Sequence, residues 1–221
     1  MDIASAILQR KSIREFLDKI VDIEIIKKII NISKYSPSGT NTQPWIVYVV
    51  SGETKKILDS KLTKAFWDNI PRNPDYSYYP DEFPVNFQKR RAECGSMLYN
   101  SLNISKDDKE KRLEQWAKNY CSFGAPITIY IFSERKINSG SFMDCGMFMQ
   151  SIMLAALEFG LATCAQAALA EYPDIVREIL HVNHDKILLG GIAIGYANQN
   201  ALINQYRTNR EDLNSFTYFY N

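Results

Sequence analysis

Arg10, Ser12 and Arg14 alternate within the segment RKSIR at residues 10–14. In an extended chain, side chains at i, i+2 and i+4 face the same way, so these three would line one side. Two guanidinium groups and a hydroxyl offer forked, permanent charge plus a small donor, which suits phosphate and the polar edge of a ring. The plainer account is a basic helix end, because cations favour helix C-termini. A second segment, SPSGTNTQPW at residues 36–45, places Pro37, Gly39 and Pro44 among short polar side chains within ten residues. Gly39 would let a flat ligand approach the main chain, while Ser38, Thr40, Asn41 and Gln43 offer donors and acceptors to a heterocycle edge. An ordinary turn uses two or three such residues rather than all of them.

Other chemistry-bearing residues point to packing. His181 and His184 stand at i and i+3 with no HExxH pattern and no third ligand, so they read as helix-end residues and no metal site is expected. Cys164 has no histidine or basic residue beside it in sequence and reads as a small packed side chain. Between Ile70 and Pro84, four prolines alternate with Tyr76, Tyr78, Tyr79 and Phe83, which forbids a helix or a central strand. Together with Trp67 these aromatics serve two readings equally, a substrate-facing lid or the plug of a long loop's own core.

The elements that must position these residues follow from periodicity. Asp2 caps a first helix with Ile3, Ala6 and Ile7 on one face, ending near Arg10. A second helix starts at Asp22, carries a stripe of Ile26, Ile29, Ile30 and Ser33, and stops before Pro37. The run IVYVV at 46–50 predicts a core strand, and a helix follows from Thr54 to Trp67. Two helices are expected over 86–102 and 106–120, then a strand over 127–132. Residues 143–159 are apolar on every face and predict a helix buried on all sides, stopped by Gly160. A short strand over 162–166, a helix over 173–180 and a strand over 187–194 complete the core.

With 221 residues, 46% hydrophobic and 23% charged, the chain can bury a sizeable core as one unit spanning 1–221. Its net charge of +1 gives no footprint for nucleic acid or an anionic membrane. The longest apolar run, 147–157, is shorter than the roughly 20 residues a bilayer needs. No secretory pattern occupies residues 1–16, and the four cysteines form no CxxC pair, so reduced, mostly buried thiols of a soluble cytoplasmic protein are expected.

Taken in order, RKSIREF at 10–16, SPSGTNTQPW at 36–45, FGAP at 123–126, DCGMFMQ at 144–150, LAALEFGLATCAQAAL at 154–169, GIAIGY at 191–196 and NQYRTNR at 204–210 make the chain resemble the FMN-dependent nitroreductases, in particular their nitrobenzoate-reducing subgroup. The resemblance covers nearly the whole length. It implies an α+β fold with a central mixed β-sheet flanked by helices, and an intertwined homodimer whose tail, residues 199–221, is exchanged onto the partner. It further implies that residues 66–92 form a lid. FMN would be bound by Arg10, Lys11, Ser12 and Arg14, with Arg14 near N1 and O2. Pro37, Ser38, Gly39, Asn41 and Gln43 would reach the ring from the other subunit. Gln166, Ala167 and Ala168 would flank N5, and Arg207 with Arg210 would meet the phosphate. Thr40, Trp67, Tyr76, Tyr78 and Phe123 would lie nearest the substrate. The implied activity takes hydride from NADH or NADPH and reduces nitroaromatics, quinones or similar flat aromatic acceptors by a ping-pong mechanism with no protein acid or base. Its rivals are a flavin-storing or redox-sensing protein, or a same-fold enzyme of reductive dehalogenation or flavin-ring cleavage. The absence of GxGxxG fits a nicotinamide that visits, since Gly190, Gly191 and Gly195 do not match that spacing.

Overall fold

A four-stranded sheet forms the centre, in the order β1 (Ile46–Ser51), β2 (Ile127–Glu134), β4 (Lys186–Gly195), β3 (Ala162–Gln166). The computed structural model describes residues 2–137 and 139–220. Met1, Asn138 and Asn221, which the readings of one unit and of the tail include, lie outside the described residues.

All three strand pairings are antiparallel, which corrects the expectation of a mixed sheet. The only parallel pairing among the described residues is the isolated bridge Ser12 to Thr163. An unbroken apolar strand such as ILLGGIAI suggests a parallel sheet because both its faces are buried. Here the same burial arises because helices cover both faces of an antiparallel sheet.

Strand alternation divides the core in two. Ile127, Ile129 and Ile131 of β2 point to one side, where they meet Ile26 and Ile29 of α2 (Ile23–Ser33) and Phe148 and Ile152 of α6 (Gly140–Glu158). Tyr130 and Phe132 point to the other, against Leu58 and Leu62 of α3 (Gly52–Trp67) and Val176 of α7 (Pro173–Leu180). Each fully buried isoleucine or leucine contributes on the order of 1.5–3 kcal/mol. The β2–β4 register shifts between Ile131 and Phe132, a bulge that lets Ile187, Leu189, Ile192 and Ile194 all serve the same core. Beside it Gly191 has no room for a side chain, since a Cβ would stand 2.6 Å from Leu169 Cδ1 and 3.1 Å from the Ile129 carbonyl.

Caps fall where short acidic side chains predicted them. Asp2 accepts from the Ser5 amide at the start of α1 (Ile3–Gln9), and Asp22 accepts from Glu24 at the start of α2. His181 ends α7 in the left-handed conformation. Helix α6 is not buried on all sides within one chain. Ser141, Cys145, Phe148, Ile152 and Ala156 form its buried stripe, whereas Met147, Met153 and Leu157 are half-buried and Met143 is exposed. Its 19 residues are long and apolar enough to cross a membrane, more than the apolar run alone suggested, but the buried stripe packs it against α2 and the sheet. Nor are the thiols mostly buried: Cys145 and Cys164 are, Cys121 is half-buried and Cys94 is exposed.

The proline and tyrosine segment has no helix or strand from 68 to 84, and it leads into α4 (Val85–Ser101) and then α5 (Lys109–Ala117). Helix α4 has no buried residue.

Candidate active site

The segment after α1 is extended, as the alternation of Arg10, Ser12 and Arg14 required. Ser12 bridges Thr163 and the Ile13 amide donates to the Thr163 carbonyl at 3.0 Å, so the segment lies along the edge strand β3. Buried Ile13 points into the core, which turns its neighbours outward. The C-terminal segment closes on them through Asn204, 2% exposed, a residue that composition alone did not single out. Its Oδ1 accepts from the Arg14 amide at 2.8 Å, its Nδ2 donates to the Glu15 and Asn198 carbonyls, and its own carbonyl accepts from Lys11 Nζ.

This staple creates a cavity of about 160 Å³ lined by Arg10, Lys11, Ser12, Arg14, Arg207 and Arg210. Arg207 leans toward the carbonyls of Gln9 and Arg10, whereas Arg210 curls onto Thr208 and Asn209. None of these five cations has a carboxylate partner among the described residues. Burial first, then repulsion from Arg210 and Arg207, lowers the pKa of Arg10 from its ordinary value. A concentration of cations without carboxylate partners is completed by an anion, and forked donors in a small cavity fit a phosphate monoester.

A second cavity, of about 370 Å³, adjoins it through Arg14 and Cys94, which line both. Its floor is the end of β3 and the short turn after it, Gln166, Ala167 and Ala168. The first amides of such a turn have no acceptor within it and remain available to a ligand. Gln166 is 5% exposed, and its Nε2 donates to the Asn119 carbonyl at 3.0 Å and to Asn119 Oδ1 at 3.2 Å. Phe123 forms part of the wall from an unusual backbone: Ser122, Phe123 and Gly124 are all left-handed, with φ of 52°, 55° and 76°. Such a run is strained for residues with a Cβ, and the buried bond between Ser122 Oγ and Thr128 Oγ1, 2.7 Å, holds it. Buried Cys164 has its thiol pKa raised by its surroundings, in keeping with a packing role.

The opposite wall comes from the exposed helix α4 and from α5, through Arg91, Leu98, Tyr99 and Trp116. Of the lid aromatics Tyr79 lines this cavity, whereas Tyr76, Tyr78 and Trp67 lie outside it in this chain. Tyr76 is turned inward, its hydroxyl donating to the Leu189 carbonyl at 2.6 Å. Burial, then Tyr78, pushes its pKa up to about 12. Tyr78 packs edge-on to Tyr79 on the surface, and Trp67 ends α3 against Phe66. The loop at residues 36–45 is sewn instead to α6: Trp45 stacks on Phe148 at 4.6 Å, Ser36 Oγ meets Ser151 Oγ, and the Gly39 amide donates to Asp144. Thr40, Asn41 and Gln43, not Gly39, hold left-handed backbone. Pro37, Gly39, Thr40, Asn41 and Gln43 are exposed, Ser38 is half-buried, and none lines either cavity of the same chain.

Known proteins match this chain in both sequence and fold. The nitroreductase family model matches residues 7–196. Over 218 residues the chain is 31% identical to a 4-nitrobenzoate reductase of Pseudomonas putida, spanning 99% of this chain and 95% of that one. A solved FMN and NADPH-dependent nitroreductase, NfnB from Sphigopyxis sp. strain HMH, superposes with a TM-score of 0.96 at 34% identity over 100% of both chains. The FMN-dependent nitroreductase NfnB from Mycobacterium smegmatis, solved in complex with NADPH, does so with a TM-score of 0.93 at 32% identity, again over 100% of both. Matched over most of its length in sequence and over all of it in fold, the chain belongs to the nitroreductase family.

Proposed function

We propose that the protein is an FMN-dependent oxidoreductase that accepts hydride from NADH or NADPH and passes it to nitroaromatics, quinones or similar flat acceptors in two alternating half-reactions. The observation that carries this reading is the junction at Arg14, where a small cluster of unneutralised cations opens into a larger, partly aromatic cavity floored by free turn amides. FMN has the same two parts, a phosphate monoester and a flat heterocycle, so the residues present fit it. When bound, it supplies the two-electron chemistry at its ring, and the protein supplies position and charge.

Arg10, Lys11, Ser12, Arg207 and Arg210 hold the phosphate end, with Arg207 reaching over the end of α1 to the Arg10 carbonyl. Arg14 is held by Tyr206 at 2.9 Å and by Asn204, which fixes its guanidinium between the two cavities, where it favours negative charge on a reduced ring. Gln166, Ala167 and Ala168 support the ring edge. No side chain is needed as acid or base. The larger cavity is walled by α4, a helix with no buried residue, so it admits a visiting nicotinamide and then an acceptor, which favours turnover over storage.

The homodimer belongs to the same proposal. The loop at 36–45 offers Pro37, Gly39, Thr40, Asn41 and Gln43, with half-buried Ser38 among them, to solvent rather than to its own chain's cavities, so it is suited to complete a partner's site. The exposed flank of α6 with Met143, and the aromatic end at Phe216, Tyr218, Phe219 and Tyr220, supply apolar surface for a second copy. The chain then acts as one unit, 1–221, with residues 66–92 as a lid and 199–221 as the wrapping tail. Four free cysteines suit a reducing cytoplasm. Stopped-flow mixing of the purified yellow protein with NADH and NADPH, followed by a nitrobenzoate or a quinone, tests the reading. Bleaching by a nicotinamide and recovery by the acceptor are expected, and a bound flavin that neither nicotinamide reduces would refute it.

A further inference from the structure

Beside the larger cavity lies another, of about 280 Å³, that the reading above leaves unused. It is lined by Phe66, Arg72, Tyr99, Lys109, Arg112 and Trp116. Tyr99 and Trp116 line both cavities, so the two are continuous around these rings. We propose that this second cavity receives the adenosine half of the nicotinamide dinucleotide, with the 2′-phosphate of NADPH between Lys109 and Arg112. The proposal rests on the reductase reading and names the part of the protein that selects the phosphorylated dinucleotide.

The face arises from helical spacing. In α5, Lys109, Arg112, Leu113 and Trp116 stand at i, i+3, i+4 and i+7 and share one side, while Glu110, Lys111 and Glu114 fall on the other. Lys111 is paired with Asp108 at 2.9 Å, so it is already neutralised. Arg72 is likewise engaged, its Nε 3.0 Å from Glu171. Lys109 and Arg112 have no carboxylate partner among the described residues, although α5 carries two glutamates within a turn of them. The Arg112 guanidinium carbon lies over the Tyr99 ring, 3.9 Å from its centroid, a cation–π contact that uses no hydrogen-bond donor. Trp116 is 42% exposed, with the Arg72 guanidinium carbon 6.0 Å from its ring centroid and two free cations beside it.

The exposed indole of Trp116 presents a ring on which a purine stacks, beside Tyr99, one face of which already carries Arg112. Two unpaired cations beside them match a phosphate monoester of about −1.5 to −2 charge. A ring that stacks and a dianion attached close to it are together the 2′-phosphoadenosine end of NADPH; NADH offers the ring without the dianion. The shared rings place that end next to the cavity in which the nicotinamide would transfer hydride.

The test uses the flavin-loaded full chain and three probes, 2′,5′-ADP, 3′,5′-ADP and 5′-AMP, followed by calorimetry and by quenching of Trp116, with Trp116→Phe as the control. Wild type should bind 2′,5′-ADP at least about 10-fold more tightly than 5′-AMP, the lower end of what one charge-assisted contact gives. Lys109→Met, at an exposed position, should remove most of that difference without altering 5′-AMP binding, and Arg112→Met, at a half-buried position over Tyr99, should likewise bring the affinity for 2′,5′-ADP down to that for 5′-AMP. In the reductive half-reaction the same variants should raise the half-saturating NADPH concentration about 10-fold or more and leave NADH unchanged. Equal binding of 2′,5′-ADP and 5′-AMP, equal shifts for both nicotinamides, or 3′,5′-ADP binding as tightly as 2′,5′-ADP would each overturn the assignment. Failure of the reductase reading would appear differently, as a flavin that neither nicotinamide reduces, while the nucleotide titrations still report on this cavity.

Discussion

The two ends of the lid are held by opposite means. At its start, Asp75 is buried with Arg177, their side chains 7% and 3% exposed, and it also takes Arg135 at 2.6 Å and the Leu188 amide at 2.8 Å. Tyr76 adds its bond to the Leu189 carbonyl, so the segment is welded to β4. At its far end, α4 rests on the surface without one buried residue, tied by exposed contacts such as Arg90 to Glu211 and Asn209 to Glu93. A lid built this way keeps a fixed root and an adaptable wall. Stability resides at the root, and selectivity for the acceptor resides in the wall.

The largest effect should come from breaking the root. Asp75→Ala leaves the buried Arg177 with only the exposed Asp174, at 3.2 Å, as a carboxylate partner and should cost about 3 kcal/mol, read as a lower midpoint in urea unfolding. The same carboxylate gives the contrast a pH signature. Burial works against its charge, yet the Leu188 amide and the two guanidiniums hold its pKa below the usual carboxylate value. Its stabilisation is therefore complete above the unfolded-state pKa and is lost as pH falls through the lower folded-state value; wild type should lose stability in that acid range and Asp75→Ala should lose less.

Tyr76→Phe should cost about 1 kcal/mol, the net value of one hydrogen bond. Because the folded phenol ionises only near 12, an unfolded chain releases this proton first, and stability should decline as pH rises from about 10 toward 12. The phenylalanine variant should lack that part of the decline. At the wall, Arg91 lies 4.0 Å over Phe83 and 5.4 Å over Tyr79, so Arg91→Ala should change stability by less than about 1 kcal/mol. Its effect should fall on the KM for aromatic acceptors; a melting shift as large as that of the Asp75 variant would erase the distinction between root and wall. Smallest of all, Glu211→Ala removes an exposed ion pair and should change stability by about 0.5 kcal/mol or less in a thermal melt.

Local physics made much of the fold readable in advance. Asp2 and Asp22 announce helix starts, IVYVV and ITIYIF announce strands, and the isoleucines of α2 show which side is buried. Strand direction was not readable, because a strand buried on both faces has one composition whichever way its neighbours run. The basic cluster came into view only through the order of landmarks, because RKSIR alone reads as readily as a basic helix end and NQYRTNR has no local pattern that points to an anion. The wall of α4 and α5 did not: Arg91, Tyr99, Arg112 and Trp116 sit on polar helices whose patterns are those of any solvated surface. Tyr76 and Tyr79 are indistinguishable as letters in a tyrosine-rich loop, and only the position of β4 decides which turns inward. Asp75 and Arg177 meet across a hundred residues of sequence, beyond the reach of any local pattern.

Gly191 has a meaning that reaches past the strand it belongs to. The missing side chain leaves room for Leu169, and Leu169 sits in the same short turn as Ala168, the floor of the larger cavity. The middle of the sheet thus works as a datum plane, and the depth of the cavity is measured from it through a single leucine. A protein gauged this way can vary its walls freely among relatives and still present every ligand to a floor at one height.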